Sequence, residues 1–194
     1  MFLPMIGFSI ATSTLVGRRL GEDRPDLAAR TTWSSFHITF AYMSSIAMFY
    51  VLTPTVFLLP FGAKADPTQF AALRDTAVIL LRFVAIYSLF DSANLIFSAA
   101  LKGAGDTLYV MLMSTCLSLS LMVAPTWFIC REGTGSIWAA WTCLTVFIVV
   151  LAFFFVWRFL QGKWRTMRVT EAPTAAAYPT YPHPEVPLTE TEVA

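Results

Sequence analysis

One apolar stretch of the sequence contains a carboxylate that could bind a small cation. Residues 76–101 are mostly apolar and contain two charged residues, Arg82 and Asp91. An ionisable group in hydrocarbon costs roughly 2.5–3.5 kcal/mol on insertion scales. Because helical residues are about 100° apart, four polar residues lie within about 60° of Asp91 if this stretch is a helix. They are Tyr87, Ser88, Asn94 and Ser98. The spacing therefore predicts one polar stripe that faces the protein interior or a wet cavity.

The residue types in this stripe suit the binding of a coupling cation. Carboxylate and amide oxygens are hard ligands that suit Na⁺, so Asp91 is the predicted metal ligand if the ion is Na⁺. A desolvated carboxylate could equally hold a proton. We assign Asp91, Tyr87 and Asn94 to the cation site, with Ser88 and Ser98 as secondary candidates. The alternative is a buried Asp91 that is hydrogen-bonded only for helix packing.

Two further ionisable residues in the apolar stretches give weaker signals. Arg82 lies about 180° from Asp91 around the helix, near its outer end, where its side chain can extend to the membrane interface. His37 is a secondary candidate as a proton relay, but no acid is near it in its own helix, so packing or an interfacial hydrogen bond is favoured. The sequence has no Walker-type loop, nucleophile elbow or HExxH motif, so we expect no enzyme activity and no cofactor.

A glycine-rich turn follows the polar stripe. It contains Lys102, Gly103, Gly105 and Asp106 and leads directly into Thr107. Glycine adopts positive φ at low cost, so a tight turn is expected here. Asp106 or Thr107 can cap the helix that follows.

The composition places these residues in a membrane protein. The chain of 194 residues is 57% hydrophobic and 13% charged with a net charge of +1, and its mean hydropathy is +0.65. These values exclude a water-soluble enzyme domain and a disordered regulator. The chain also lacks the excess of basic residues that would indicate binding to nucleic acid. A bilayer core needs roughly 20 apolar residues as a helix. We predict an all-α bundle of about five membrane helices within residues 1–168, at about 2–17, 33–59, 76–101, 107–130 and 135–158, with kinks favoured at Pro54 and Pro125.

The distribution of Lys and Arg predicts the orientation, because cytoplasmic loops collect these residues. Nine lie on one side: Arg18, Arg19, Arg24, Arg30, Lys102, Arg158, Lys163, Arg165 and Arg168; three lie on the other: Lys64, Arg74 and Arg131. The C-terminus is therefore expected in the cytoplasm. Residues 157–168 form a basic and aromatic collar, expected to anchor at anionic membrane lipids. Residues 169–194 contain five prolines, which predicts a disordered cytoplasmic tail.

Three segments resemble the multidrug and toxic compound extrusion (MATE) family. Residues 7–21, GFSIATSTLVGRRLG, resemble a helix of that family that ends in a V-G-x-x-L-G pattern. Residues 100–107, ALKGAGDT, are similar to its L-R-G-x-G-D-T turn, with Lys102 in place of the usual arginine. Residues 87–91, YSLFD, match a Y-x-x-x-D pattern in the tenth helix of the NorM-like branch. The resemblance covers about residues 3–168.

The resemblance implies a fold and an activity. MATE transporters have twelve helices in two lobes and exchange Na⁺ or H⁺ for organic cations and drugs. This chain would supply helices eight to twelve, which is the C-terminal lobe without its first helix, in the plasma (inner) membrane. Asp91 would be the coupling carboxylate. In the NorM-like branch a glutamate on helix seven completes the cation site, so we expect this chain to be incomplete alone. The expected partners are membrane lipids, small organic cations and an N-terminal lobe as a separate chain.

Three other interpretations remain open at this stage. A lipid-linked saccharide flippase of the same superfamily would need a cationic cavity, and Arg82 lies on the face opposite the polar stripe. An intramembrane enzyme would need His37 and Asp91 within hydrogen-bond reach or linked by one water. A non-transporting structural membrane protein would have Asp91 buried in packing or facing lipid.

Overall fold

The computed structural model describes residues 2–54, 56–58, 67–131 and 137–167, and these residues are helical apart from short turns. The helices are α1 (Phe2–Gly21), α2 (Pro25–Leu52), α3 (Pro67–Gly103), α4 (Thr107–Leu117), α5 (Ala124–Arg131) and α6 (Ile137–Leu160). A π-helical segment (Ser118–Val123) joins α4 to α5, and a 3₁₀ helix (Lys163–Thr166) follows α6. No strand occurs in the described ranges, and the all-α prediction is confirmed. The predicted disordered tail, residues 169–194, lies outside them.

Four helical stretches are long and apolar enough to cross a membrane. Within the described ranges they are Pro25–Leu52, Thr76–Gly103, Thr107–Ile129 and Ile137–Leu160, and they correspond to four of the five predicted spans. The fifth, α1, is helical as predicted but is not one of these four. Its last turn contains Arg18 and Arg19, which lower its mean hydropathy. The membrane crossing of α1 therefore stays a prediction.

The helices extend beyond the charge-free runs because a helix continues into the charged interface. α2 begins at Pro25, a position where the missing N–H and fixed φ of proline are tolerated. It ends at Leu52, although the predicted span continued to residue 59. Thr53 leaves the helical region with φ −129° and ψ 52°, because the residue before a proline disfavours that region. Residues 54 and 56–58 are helical again, so the helix is interrupted at Thr53, and the kink at Pro54 stays a prediction.

Pro125 has the effect expected of a proline inside a membrane helix. The π-helical segment ends directly before the helix that contains it, and the N–H of Ala124 bonds to the carbonyl of Leu119, five residues back. Proline lacks an N–H and clashes with the carbonyl four residues before it, so a wider turn relieves the strain. Pro125 thus alters the hydrogen-bond pattern of the helix through this π-helical segment, and the kink at Pro125 stays a prediction.

α3 lies at the centre of the bundle and packs against α1, α2 and α6. Its buried Phe97 lies 5.4 Å from the rings of both Trp33 and Phe36 on α2 and 5.1 Å from Phe159 on α6, measured between ring centroids. Trp164 stacks on Phe159 at 4.8 Å. This aromatic cluster fixes one end of α3 against two neighbours.

The contact between α1 and α3 is made by backbone. A Cβ added to Gly103 would overlap the carbonyl oxygen of Ser13, and one added to Gly17 would lie 3.0 Å from the carbonyl oxygen of Gly103. Small residues let helices in membranes approach this closely. Gly17 and Gly103 thus have a packing role, which neither the assignment of Gly103 to a turn nor that of Gly17 to a helix end predicted.

Candidate functional site

Asp91 and Asn94 form the centre of the polar stripe on α3. The Asn94 Nδ2 donates a hydrogen bond of 3.3 Å to the Asp91 Oδ1, and both side chains are half-buried. The pair follows directly from the helix, because residues three apart share a face. The structure therefore brings together the carboxylate and the amide that the spacing predicted.

Tyr87 lies one turn before Asp91 and is also half-buried. Its ring lies 6.3 Å from the ring of Trp141 on α6, and Phe83 lies 6.3 Å from Trp138 one turn earlier. Two aromatic pairs thus bridge α3 and α6 over the two helical turns of α3 that precede Asp91. The sequence analysis did not identify Trp138 and Trp141, because only the packing of α6 on α3 places them there.

The two secondary serines have different surroundings. Ser88 and Ser98 are buried, and their hydroxyls donate to the carbonyls of Ala85 (3.0 Å) and Leu95 (3.2 Å) in α3 itself. Ser98 also lines a cleft between α1 and α3 with a volume of about 270 Å³. Its polar lining consists of Ser9, Ser13, Thr14, Ser98 and Lys102.

His37 is not part of this stripe in the contacts that the structure describes. Its Nδ1 lies 2.7 Å from the carbonyl oxygen of Trp33, and its ring contacts those of Trp33 and Phe36 on the same helix. The side chain is exposed. The described part of the chain also contains no group of three or more His, Cys, Asp or Glu that could hold a metal ion. A cation at Asp91 would therefore depend on one carboxylate together with neutral oxygens.

The glycine turn ends α3 with a Schellman motif. The N–H of Asp106 bonds to the carbonyl of Leu101 at 2.9 Å, and that of Gly105 to the carbonyl of Lys102 at 3.0 Å. Gly105 has φ 91°, the left-handed conformation that this motif requires and glycine adopts without strain. The tight turn is as predicted, and Lys102 is exposed at its start.

Asp106 does not cap the next helix with its side chain, which was one of the two predicted caps. It occupies the N-cap position of α4 without a side-chain cap bond. Its carboxylate instead accepts a 2.8 Å hydrogen bond from Arg158 Nε at the end of α6, and the two side chains are only 8% and 15% exposed. The Arg158 guanidinium also lies 4.5 Å from the centre of the Tyr109 ring. The turn is thus tied to α6 by a buried ion pair.

This pair corrects part of the predicted lipid-anchoring collar. Arg158 is engaged with Asp106, and Trp164 is 1% exposed with its Nε1 donating to the carbonyl of Phe159 at 2.8 Å. Burial removes both side chains from contact with lipid headgroups. Trp157, Lys163 and Arg165 are exposed, as the prediction required. Arg168, the last member, lies outside the described residues.

Comparisons with known proteins agree with the resemblance noted in the sequence. A family model described as MatE matches residues 1–128. The probable multidrug resistance protein NorM of Brucella suis is 28% identical over 113 residues, 58% of this chain and 24% of that protein. The protein of the same name from Caulobacter vibrioides is 25% identical over 179 residues, 88% of this chain and 35% of that protein. The chain thus spans about a quarter to a third of the length of these relatives.

Proposed function

Because this chain belongs to the MatE family, we propose that it forms part of a secondary active antiporter that exports organic cations and drugs in exchange for Na⁺ or H⁺. Members of the family are transporters and not enzymes, and the chain is an integral membrane protein by its apolar helices and its relatives. Its partners in this proposal are membrane lipids, organic cations and an N-terminal lobe.

The observation that carries the proposal is the place of Asp91 in α3. It lies about the middle of the span Thr76–Gly103, where an unpaired charge is too costly to persist. The side chain of Asn94 offers one hydrogen bond of 3.3 Å, and no ion pair with Asp91 occurs among the described residues. A carboxylate in this position therefore holds a proton or a cation, and export is driven when that ion is exchanged for the substrate.

The aromatic pairs next to Asp91 support organic cations as the substrate class. A cation over the face of a tryptophan or tyrosine ring is attracted by the ring quadrupole, by about 2 kcal/mol when the contact is desolvated. Tyr87 offers such a ring one helical turn before the carboxylate, and the ring of Trp141 lies 6.3 Å from that of Tyr87. Ring faces and a negative charge together suit a flat organic cation.

The test replaces Asp91 in a chimera in which this chain substitutes for the matching segment of the Caulobacter relative. Asp91→Asn keeps the shape and removes the charge, so the variant should insert normally yet lose ion-dependent export of a dye. Asp91→Glu should keep partial export with a changed dependence on pH or Na⁺. Asp26→Asn, on a carboxylate that is 90% exposed, is the matched control and should export like the parent.

The proposal fails if Asp91→Asn exports at the parental rate with the same ion dependence. Measuring dye export in everted vesicles with a Na⁺ gradient, a proton gradient, or neither also identifies the coupling ion. Equal expression of the parent and each variant in the membrane fraction shows that insertion is unaffected.

A further inference from the structure

Polar side chains line part of the cleft between α1 and α3, although the helices around it are apolar and Ile10, Leu95 and Ala99 also line it. Three hydroxyl residues of α1 and two polar residues of α3 line its volume of about 270 Å³; they are Ser9, Ser13, Thr14, Ser98 and Lys102. A water molecule occupies about 30 Å³ in the liquid, so the cleft has room for several. Hydroxyl groups on both walls offer the polar partners that such waters need.

The hydrogen bonds of the lining residues determine what the cleft can bind. The hydroxyls of Ser9, Thr14 and Ser98 donate to the carbonyls of Ile6 (2.8 Å), Ile10 (3.0 Å) and Leu95 (3.2 Å) in their own helices. Their donors are thus occupied, while the oxygen lone pairs stay free to accept. These lone pairs suit water, hydronium or a hard cation, whereas the ammonium group of Lys102, which also lines the cleft, is exposed to solvent and repels a cation only at that end.

The cleft lies on the same face of α3 as Asp91. Asp91, Leu95, Ser98 and Lys102 follow the spacing i, i+4, i+7 and i+11, and the last three line the cleft. Ser98 is one helical turn, about 6 Å, from Asn94, and Asn94 is hydrogen-bonded to Asp91. At the other end, the exposed Lys102 adjoins the turn after α3. Polar groups therefore continue along one face from this turn to the carboxylate.

The backbone contact beside the cleft keeps its walls in place. Gly103 packs against the backbone of Ser13, so the two helices touch directly beside Ser13 and Lys102, two of the residues that line the cleft. The nearby hydroxyls then lie at a fixed separation and leave a gap that side chains do not fill.

We propose that this cleft is the hydrated route by which the coupling cation, Na⁺ or a proton, passes between Asp91 and the cytoplasm. The route rests on the proposed function, because it requires Asp91 to hold that ion. Water in the cleft solvates the ion after it leaves the carboxylate, and the hydroxyl oxygens of Ser13 and Ser98 replace part of its hydration shell. The cleft thus provides a path that the apolar surroundings of α3 do not.

Thiol labelling of the whole chain in membrane vesicles tests the route without requiring transport. Cys116, Cys130 and Cys143 are first replaced, and Ser13→Cys or Ser98→Cys is introduced. A positively charged, membrane-impermeant thiol reagent added from the cytoplasmic side should modify both. Ser45→Cys on α2 is the control, because Ser45 also donates to its own helix, to the carbonyl of Ala41 at 2.9 Å, but does not line the cleft. It should react roughly tenfold more slowly, since hydrocarbon excludes a charged reagent.

A second labelling experiment asks whether the cleft leads to the carboxylate. Asp91→Cys should react from the cytoplasmic side, and adding Ser98→Leu should slow this reaction roughly tenfold, because the larger apolar side chain fills and dries the cleft. Ser45→Leu should leave the rate unchanged. Ser98→Thr, which keeps the hydroxyl and adds one methyl group, should give a labelling rate between those of the parent and Ser98→Leu. Fluorescence of a tag on the chain, measured in the membrane fraction, checks that all variants insert equally.

The inference is overturned if Ser13→Cys and Ser98→Cys react as slowly as Ser45→Cys, if they react only from outside, or if Ser98→Leu does not slow labelling of Asp91→Cys. These results would leave the role of Asp91 in export untouched. Conversely, export that persists in Asp91→Asn would refute the proposed function without changing which thiols the reagent reaches. The two failures are therefore distinguishable.

Discussion

The pair between Asp106 and Arg158 connects residues that are 52 positions apart. Both side chains are largely buried, at 8% and 15% exposure, so the charges lose most of their hydration and depend on each other. Arg158 also contacts Tyr109 and Gln161. The aspartate of the glycine turn therefore holds the start of α4 against the end of α6.

Breaking this pair should destabilise the protein strongly. Asp106→Ala leaves the Arg158 charge buried without its partner, and removal of one member of a buried pair costs about 3–5 kcal/mol. Asp106→Ala should thus lower the melting temperature of the purified chain in detergent, as measured by scanning fluorimetry. The control is Glu22→Gln. Hydrogen bonds from Arg19 and Arg18 lower the pKa of Glu22, but this cluster is exposed and should matter little. Equal melting temperatures for Asp106→Ala and Glu22→Gln would contradict the prediction.

At the residue scale, sequence spacing predicted contacts within one helix and missed those between helices. The Asp91–Asn94 bond follows from a separation of three residues, and Tyr87 follows from a separation of four. The partners of Asp106 and of Tyr87 lie on α6, and no local pattern relates α6 to α3. Arg158 was therefore assigned to the membrane interface, which is the ordinary place for an arginine at the end of a span.

At the scale of the helices, the closest backbone contact found at a glycine is the one between Gly103 of α3 and Ser13 of α1. Gly103→Ala should push the two helices apart, because the new Cβ would overlap the carbonyl oxygen of Ser13. Overpacking of this kind lowers the free energy of unfolding by about 1–3 kcal/mol. Gly7→Ala in α1 is the control, because nothing lies within 4 Å of its added Cβ. The free energy of unfolding of both variants is measured in a chemical-denaturant series. Equal values for Gly103→Ala and Gly7→Ala would contradict the prediction, because the interface between α1 and α3 would then accommodate the methyl group without loss of stability.

The existence of the long helices could be predicted from the sequence, but not how far α2 and α3 extend beyond the charge-free runs. Charge-free runs mark the part of a helix that lies in hydrocarbon, whereas the helix itself ends where backbone chemistry stops it. α3 ends at the positive φ of Gly105, and α2 ends at the restriction that Pro54 imposes on Thr53. The π-helical segment before Pro125 shows the same principle, since a missing N–H alters the hydrogen-bond pattern locally.

For the whole molecule, the excess of Lys and Arg on one side predicts the orientation in the membrane. The ends of α1, α3 and α6 carry Arg18, Lys102 and Arg158, and the positive-inside rule predicts that these ends lie in the cytoplasm. Single cysteines at Thr68 and Thr180 of a cysteine-free chain test this. An impermeant thiol reagent outside intact cells should label position 68 alone. Labelling at position 180 would reverse the orientation and with it the direction of the proposed cleft route.

Exchange of an ion for a substrate requires more than one face of a cavity. In the transporters built from repeated bundles, substrate and ion sites lie between two bundles that move against each other. In the described residues, Asp91 has one hydrogen-bonded side-chain neighbour, Asn94 of its own helix, and the matched relatives are about three to four times as long as the aligned part. Under the proposed function, the polar face of α3 would therefore form one wall of the site, and alternating access would need another.

Residues 1–194 expressed alone should consequently give no ion-coupled export. In an efflux-deficient strain, dye accumulation should equal that of cells with an empty vector, whereas the chimera with the Caulobacter relative should lower it. Co-expression of this chain with the remaining part of that relative as a separate polypeptide should restore export if the two lobes assemble without a covalent link. A decrease in dye accumulation by residues 1–194 alone that disappears when the ion gradient is collapsed would show that one lobe suffices. The wall formed by α1, α3 and α6 would then have to close the cavity by pairing with a second copy of itself.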